Sequence, residues 1–176
     1  SMSLEPAAIL SCAKAIAAGI QYLHSEDIAH RDLKPGNILL LGGVPKLADF
    51  GISKRITAAN NTRIGTPHYM APEMFRGNYG KEVDMYAFGV ILYEMMSKTR
   101  LEDTLFHDKE AFQVYEMVCV GQTRPNIPRR WKPRVRSLLT NLWQQEPKKR
   151  YSVEETIEFL SKIEESDFPP SMLRRQ

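Results

Sequence analysis

The sequence predicts a mainly α fold, a helical bundle in which short antiparallel β-hairpins carry polar loops. Three observations predict it. Apolar residues recur at helical spacing in five separate segments. One apolar run, Ile38-Leu39-Leu40-Leu41, is followed by Gly42-Gly43 and a second extended run, which reads as a hairpin. Polar stretches rich in Gly, Pro and Asn lie on both sides of that hairpin.

The first helix is expected over residues 6–25. Ile9, Ala13, Ile16, Ile20 and Leu23 share one face, and Pro6 suits a helix start. Asp27-Ile28-Ala29 reads as a short extended piece, and residues 30–37, with Pro35-Gly36, as a structured loop. The hairpin takes residues 38–41 and 44–48, and 51–65 is loop-like. A short turn of helix is expected at 70–76 and a strongly apolar helix over 81–97. Helices over 109–121, 134–145 and 152–165 follow. Ser152 and Glu155 form a capping box for the last of these, and Val153, Ile157, Leu160 and Ile163 give it an apolar face. The tail from Ser166, with Pro169-Pro170, is expected to be loose.

Composition narrows the function classes. With 176 residues, 43% apolar and 26% charged, the chain can bury one real core and is neither disordered nor a disulfide-rich mini-protein. Its two cysteines, Cys12 and Cys119, lie far apart in apolar contexts, which suits buried thiols in a reducing, cytoplasmic setting. The net charge is +3, with basic clusters at 129–136, 148–150 and 174–175. A near-neutral overall balance reads these as solvated faces, with neither nucleic acid nor membrane as a partner. The longest apolar run, 86–93, is far short of the roughly 20 residues of a membrane span. Residues 1–3 read as a remnant of cloning.

Three strings carry the chemistry. His30-Arg31-Asp32-Leu33-Lys34-Pro35-Gly36-Asn37 comes first, Asp49-Phe50-Gly51 follows the hairpin, and Ala71-Pro72-Glu73 closes the loop segment. Each alone is weak, but their order and the hairpin between the first two make them specific. On these strings the sequence resembles the eukaryotic protein kinases, whose roles are a standard template for phosphoryl transfer. The resemblance covers about residues 4–165 and only the family's larger C-terminal lobe, so the expected fold is a protein-kinase-like C-terminal lobe with a tail at 166–176.

The resemblance implies ATP and Mg2+ as cofactors and a protein Ser/Thr hydroxyl as acceptor. Asp32 matches the carboxylate that orients the hydroxyl and takes its proton. Asn37 and Asp49 match the two oxygen ligands of the magnesium sites. Lys34 matches the cation that neutralises the transferred group. Leu39, with Ile91 and Met95, matches the apolar floor under adenine. Lys34 together with Gly65-Thr66-Pro67 points to a Ser/Thr-directed enzyme, with Thr66 bonding back toward Asp32 and Lys34. The 84–89 helix start and Arg124-Pro125-Asn126-Ile127-Pro128 look most like the tyrosine-kinase-like group.

Regulation is also implied. Arg31 and Lys54 match cations that clamp a phosphate on the segment 49–73, with Thr62 the expected phosphosite and Thr57 and Thr66 lesser ones, modified by an upstream kinase or by the protein itself. Asp84 is expected to accept N–H groups of the catalytic loop, and Glu73 to pair with Arg150. No G-x-G-x-x-G loop and no Val-Ala-x-Lys strand occurs in the 176 residues. The piece is therefore expected to be nearly inactive alone, to expose an apolar inter-lobe surface and to self-associate through it. The alternative is a non-catalytic, kinase-like binding or scaffold module.

Overall fold

The structure, a computed structural model, describes residues 5–49, 66–77 and 79–169, together with the backbone of 54–55. Helix α1 (Pro6–Ser25) begins at a proline in its first turn and carries Ile9, Ala13, Ile16, Ala17 and Ile20 into the core. By length and composition α1 could cross a bilayer, a point the count of consecutive apolar residues misses. In this fold its apolar face is instead spent on packing against the later helices α2 (Glu82–Ser97) and α5 (Val153–Ser161) and against the hairpin.

Strand β1 (Ile28–Ala29) pairs antiparallel with β4 (Lys54–Arg55). Strands β2 (Ile38–Leu41) and β3 (Val44–Leu47) form the expected hairpin, one residue shorter than its predicted end. Its turn holds Gly42 and Gly43 at φ +58° and +81°, the left-handed pair that a tight two-residue hairpin requires. Leu47 anchors the hairpin against α1 so closely that a Cβ on Gly19 would sit 3.1 Å from it. On the opposite face Leu39, Leu41 and Val44 are exposed, and Leu40 is exposed at the hairpin's end on the same face as Leu47.

The centre of the molecule is α2 (Glu82–Ser97). Val83 through Leu92 are all buried, so this helix is covered on every side rather than along one stripe. It ends at Lys98, which adopts the left-handed conformation at φ +59°. The short turn of helix expected at 70–76 is a 3-10 turn over Pro72–Arg76. The expected helix over 109–121 is split into α3 (Ala111–Tyr115) and a π turn over 116–120. The Gly121 N–H reaches the Glu116 carbonyl at 2.9 Å, which sets the wider register.

Helix α4 (Pro133–Leu142) stops three residues before its predicted end. Arginine side chains compete for the carbonyls there: Arg124 Nε donates to Trp143 O at 2.9 Å and Arg150 Nε to Gln144 O at 2.8 Å. Helix α5 (Val153–Ser161) has the predicted capping box, with Glu155 N–H on Ser152 Oγ at 3.1 Å and Ser152 N–H on Glu155 Oε2 at 2.8 Å. The expectation of a loose chain from Ser166 fails at its start. Residues 165–167 form a 3-10 turn and Phe168 is buried in the core, because an aromatic ring gains more by burial than the short turn costs. The expected phosphosite Thr62, its lesser alternative Thr57, the side chain of Lys54 and Phe50 lie outside the described residues.

Candidate active site

The loop 30–37 is pinned from below by α2. Asp84, fully buried, accepts the backbone N–H of His30 at 2.9 Å on Oδ2 and that of Arg31 at 2.9 Å on Oδ1. His24, at the end of α1, brings Nε2 to Asp84 Oδ2 at 2.9 Å. One carboxylate thus ties α1, α2 and the loop together, with Arg31 held at φ +74°. The Asp84 contacts to the loop match the sequence reading; the His24 partner was missed. Leu33 is buried beneath the loop, and Asn37 closes it in a 3-10 turn.

Above this base Asp32, Lys34, Asn37 and Thr66 converge. Asp32 Oδ2 lies 2.8 Å from Lys34 Nζ and accepts from Asn37 Nδ2 at 3.1 Å. Asp32 Oδ1 accepts from the Thr66 N–H at 3.0 Å and from the Thr66 hydroxyl at 3.1 Å. The Thr66 hydroxyl in turn accepts from Lys34 Nζ at 3.0 Å. Each Asp32 oxygen therefore holds two donors. The expected bonds from Thr66 to both Asp32 and Lys34 are present. A cavity of about 10 Å³, room for roughly one water, lies beneath this cluster and is lined by Arg31, Asp32, Thr66 and Asp84 among others.

Asp49 is exposed and sits at φ +59° just after the hairpin. Its preceding residue is fixed to the loop on both sides. Ala48 N–H donates to Asn37 O at 2.9 Å, and Ala48 O lies 2.9 Å from His30 Nε2, which must donate because a carbonyl only accepts. The hairpin thus returns the chain to the loop it left. Asn37 Nδ2 is committed to Asp32, with a second bond to its carbonyl at 2.8 Å, so the amide is oriented with Oδ1 on the other side. An amide oxygen and a carboxylate are the hard donors that Mg2+ prefers, so the residue types at 37 and 49 fit that ion. No group of three or more His, Cys, Asp or Glu able to hold a metal occurs among the described residues.

Two further contacts were not legible beforehand. The Arg31 guanidinium lies against the Tyr79 ring, 5.2 Å from its centroid, and gives the Tyr79 hydroxyl both its Nε, at 3.1 Å, and its Nη2. Tyr69, three residues after Thr66, donates its hydroxyl to Glu94 Oε2 at 2.9 Å, and Glu94 Oε1 accepts the Leu101 N–H at 2.7 Å. Burial raises the Glu94 carboxyl above its usual range, opposed by those two donors, and burial likewise pushes the Tyr69 phenol up. His68 beside it is pushed down by burial, with the Glu102 carboxylate opposing.

The segment that carries Thr66 is locked from the far side by the expected ion pair. Arg150 Nη1 and Nη2 reach Glu73 Oε1 and Oε2 at 2.5 and 2.8 Å, a fork on a fork. Of the three residues read as an adenine floor, Leu39 is exposed on β2, Ile91 is buried in α2 and Met95 is half-buried against the core.

Comparison with known sequences decides the family, since the protein kinase domain model matches residues 1–159. The chain belongs to the protein kinase domain family. It is 35% identical over 163 residues to a probable serine/threonine-protein kinase of Dictyostelium discoideum, covering 91% of this chain and 12% of that protein. It is 39% identical over 140 residues to RAC-beta serine/threonine-protein kinase B of Xenopus laevis, covering 77% and 28%. Against mitogen-activated protein kinase kinase kinase 7 of Bos taurus the figures are 35% over 151 residues, 82% and 26%. The kinase-domain chain therefore spans less than a third of the length of each of these relatives.

Proposed function

We propose that this chain is the C-terminal lobe of an ATP-dependent serine/threonine protein kinase, most similar to the tyrosine-kinase-like group. The Asp32 carboxylate, within hydrogen-bond reach of Lys34, Asn37 and Thr66, carries the reading. Asp32 accepts the proton of a protein Ser or Thr hydroxyl as that oxygen bonds to the γ-phosphorus and the bond to the ADP oxygen breaks. Lys34 keeps a positive charge at 2.8 Å from Asp32, where negative charge shifts onto the transferred oxygens. Asn37 and Asp49 are the residues that would hold Mg2+, which when bound supplies positive charge to the phosphate oxygens. Thr66 bridges the base and the cation, so the segment that carries it can only be in place when both are. Leu39 and the exposed Leu41 and Val44 on the same face are where a second lobe and the adenine ring would be received.

Half of the nucleotide clamp lies outside this sequence on this reading, so the 176 residues alone transfer phosphate very slowly. Phosphorylated Thr62 is proposed to be held by Arg31 and Lys54. The test is made on the whole protein that contains this chain, with γ-labelled ATP, Mg2+ and a Ser/Thr peptide. Asp32→Asn is expected to lower transfer about 10²–10⁴-fold while nucleotide binding is retained. Undiminished transfer by that variant overturns the assignment.

A further inference from the structure

Residues 117–145 contain six basic side chains and not one Asp or Glu. Arg124 is turned inward, donating to Trp143 O and Gln145 Oε1. The other five, Arg129, Arg130, Lys132, Arg134 and Arg136, are all exposed, and they fall within eight consecutive residues. They outweigh the net charge of the whole molecule: with a total of +3, the remainder of the chain is at −2. Among the described residues, only Arg134 of the five has an acid within 4 Å, Asp167 at 3.8 Å. The first turn of α4 has no acidic residue, whereas that of α5 has Glu154 and Glu155, so the helix dipole adds to the positive potential here.

The backbone under these side chains is fixed. Trp131 is buried and packs on Tyr93 with ring centroids 5.6 Å apart, and its N–H closes a turn on Pro128 O at 3.0 Å. Pro133 starts α4, and Arg134 Nη1 is tied to Lys162 O at 2.9 Å. Five like charges on a rigid, solvent-facing strip repel one another, and a polyanion laid across them relieves that repulsion at little ordering cost to the strip. The chemistry selects among polyanions. Trp131 and Val135 are buried, and no large hydrophobic side chain is exposed between 129 and 136. No exposed aromatic or large aliphatic side chain is there to add a stacking platform for bases or an anchor in a bilayer.

We propose that the strip Arg129–Arg136 is a docking site for an acidic peptide segment of a partner protein, one with clustered Asp and Glu carboxylates. The proposal stands independently of phosphoryl transfer. The test uses this chain and a fluorescein-labelled Asp/Glu-rich octapeptide, read by anisotropy at low and at physiological salt. Combined substitution of Arg129→Ser, Arg130→Ser, Lys132→Ser and Arg136→Ser is expected to weaken binding by about tenfold or more and to flatten its salt dependence. The melting temperature should not change, because all four side chains are exposed. A charge-matched control replaces Lys14, Lys46, Lys148 and Lys149, also exposed, by serine and is expected to bind like the parent chain. Equal loss in both variants reduces the effect to net charge and overturns the proposal. So does unchanged binding in the first variant, and so does tighter binding to phosphatidylserine vesicles or to duplex DNA than to the peptide.

Discussion

Arg150 has a side chain with no solvent exposure, and Glu73 one that is 11% exposed. Replacing Arg150 with methionine keeps much of the volume and removes the charge. The Glu73 carboxylate then loses its fork of two bonds at 2.5 and 2.8 Å and is left buried without its cation. Three carbonyls, of Gln144, Glu82 and Gln145, lose their donor as well, and Tyr86 loses the guanidinium 5.2 Å from its ring. Stranding one partner of a buried pair costs about 3–5 kcal/mol. For a chain of this length that lowers the melting temperature by on the order of 10 °C. Glu73→Gln should cost less, about 2 kcal/mol, because Arg150 keeps its three carbonyl acceptors. The double variant Glu73→Leu with Arg150→Met leaves no buried charge and should recover most of the loss. Urea unfolding followed by circular dichroism measures all three, with an unchanged denaturant slope as the control for two-state behaviour. A cost under about 1 kcal/mol for Arg150→Met, or a double variant no better than that single one, would refute the argument from burial.

Two other outcomes follow from the same kind of reasoning. Asp84→Asn puts an amide NH2 where a carboxylate oxygen now accepts, so a loop N–H faces a donor; stability should fall by about 2–3 kcal/mol. Hydrogen exchange at the His30 and Arg31 amides should accelerate, and unchanged protection there would be the contrary result. His68 titrates below 6.5 because burial disfavours its charged form. The unfolded chain therefore binds this proton more tightly than the native one, and stability falls as pH drops from 6.5 through the lower native value. NMR titration of the ring checks it: Glu102→Gln, which removes the opposing carboxylate, should lower the midpoint further, and a midpoint at or above 6.5 contradicts the reading.

Local signals in the sequence were reliable where the structure is local. The 3.6-residue period and Pro6 mark α1 from Pro6 to Ser25, Gly42-Gly43 marks the hairpin turn, and Ser152 with Glu155 marks the cap of α5. The Asp32–Lys34–Thr66 cluster and the Glu73–Arg150 pair were legible only through the family resemblance, because their partners lie 34 and 77 residues apart. His24 and Asp84 are 60 apart, Arg31 and Tyr79 are 48 apart, and no periodicity links such pairs. The π turn at 116–120 also escaped, since its apolar pattern is that of an ordinary helix until one carbonyl is skipped. Phe168 escaped because two prolines after it outweigh a single buried ring in any local reading.

The saturation of Asp32 has its own kinetic meaning. A carboxylate offers roughly four lone-pair positions, and Lys34, Asn37 and both donors of Thr66 fill them. On the proposed function, a visiting alcohol must swap in for a resident. The Asn37 amide is tethered twice and the Thr66 N–H belongs to the main chain, so neither can leave alone. The Thr66 hydroxyl turns about one bond and the Lys34 ammonium swings on a flexible stem. Either can step aside in picoseconds to nanoseconds with every backbone atom at rest. On that reading, admission to this carboxylate is governed by a rotor, far faster than any loop, and the carboxylate is never left bare between visitors.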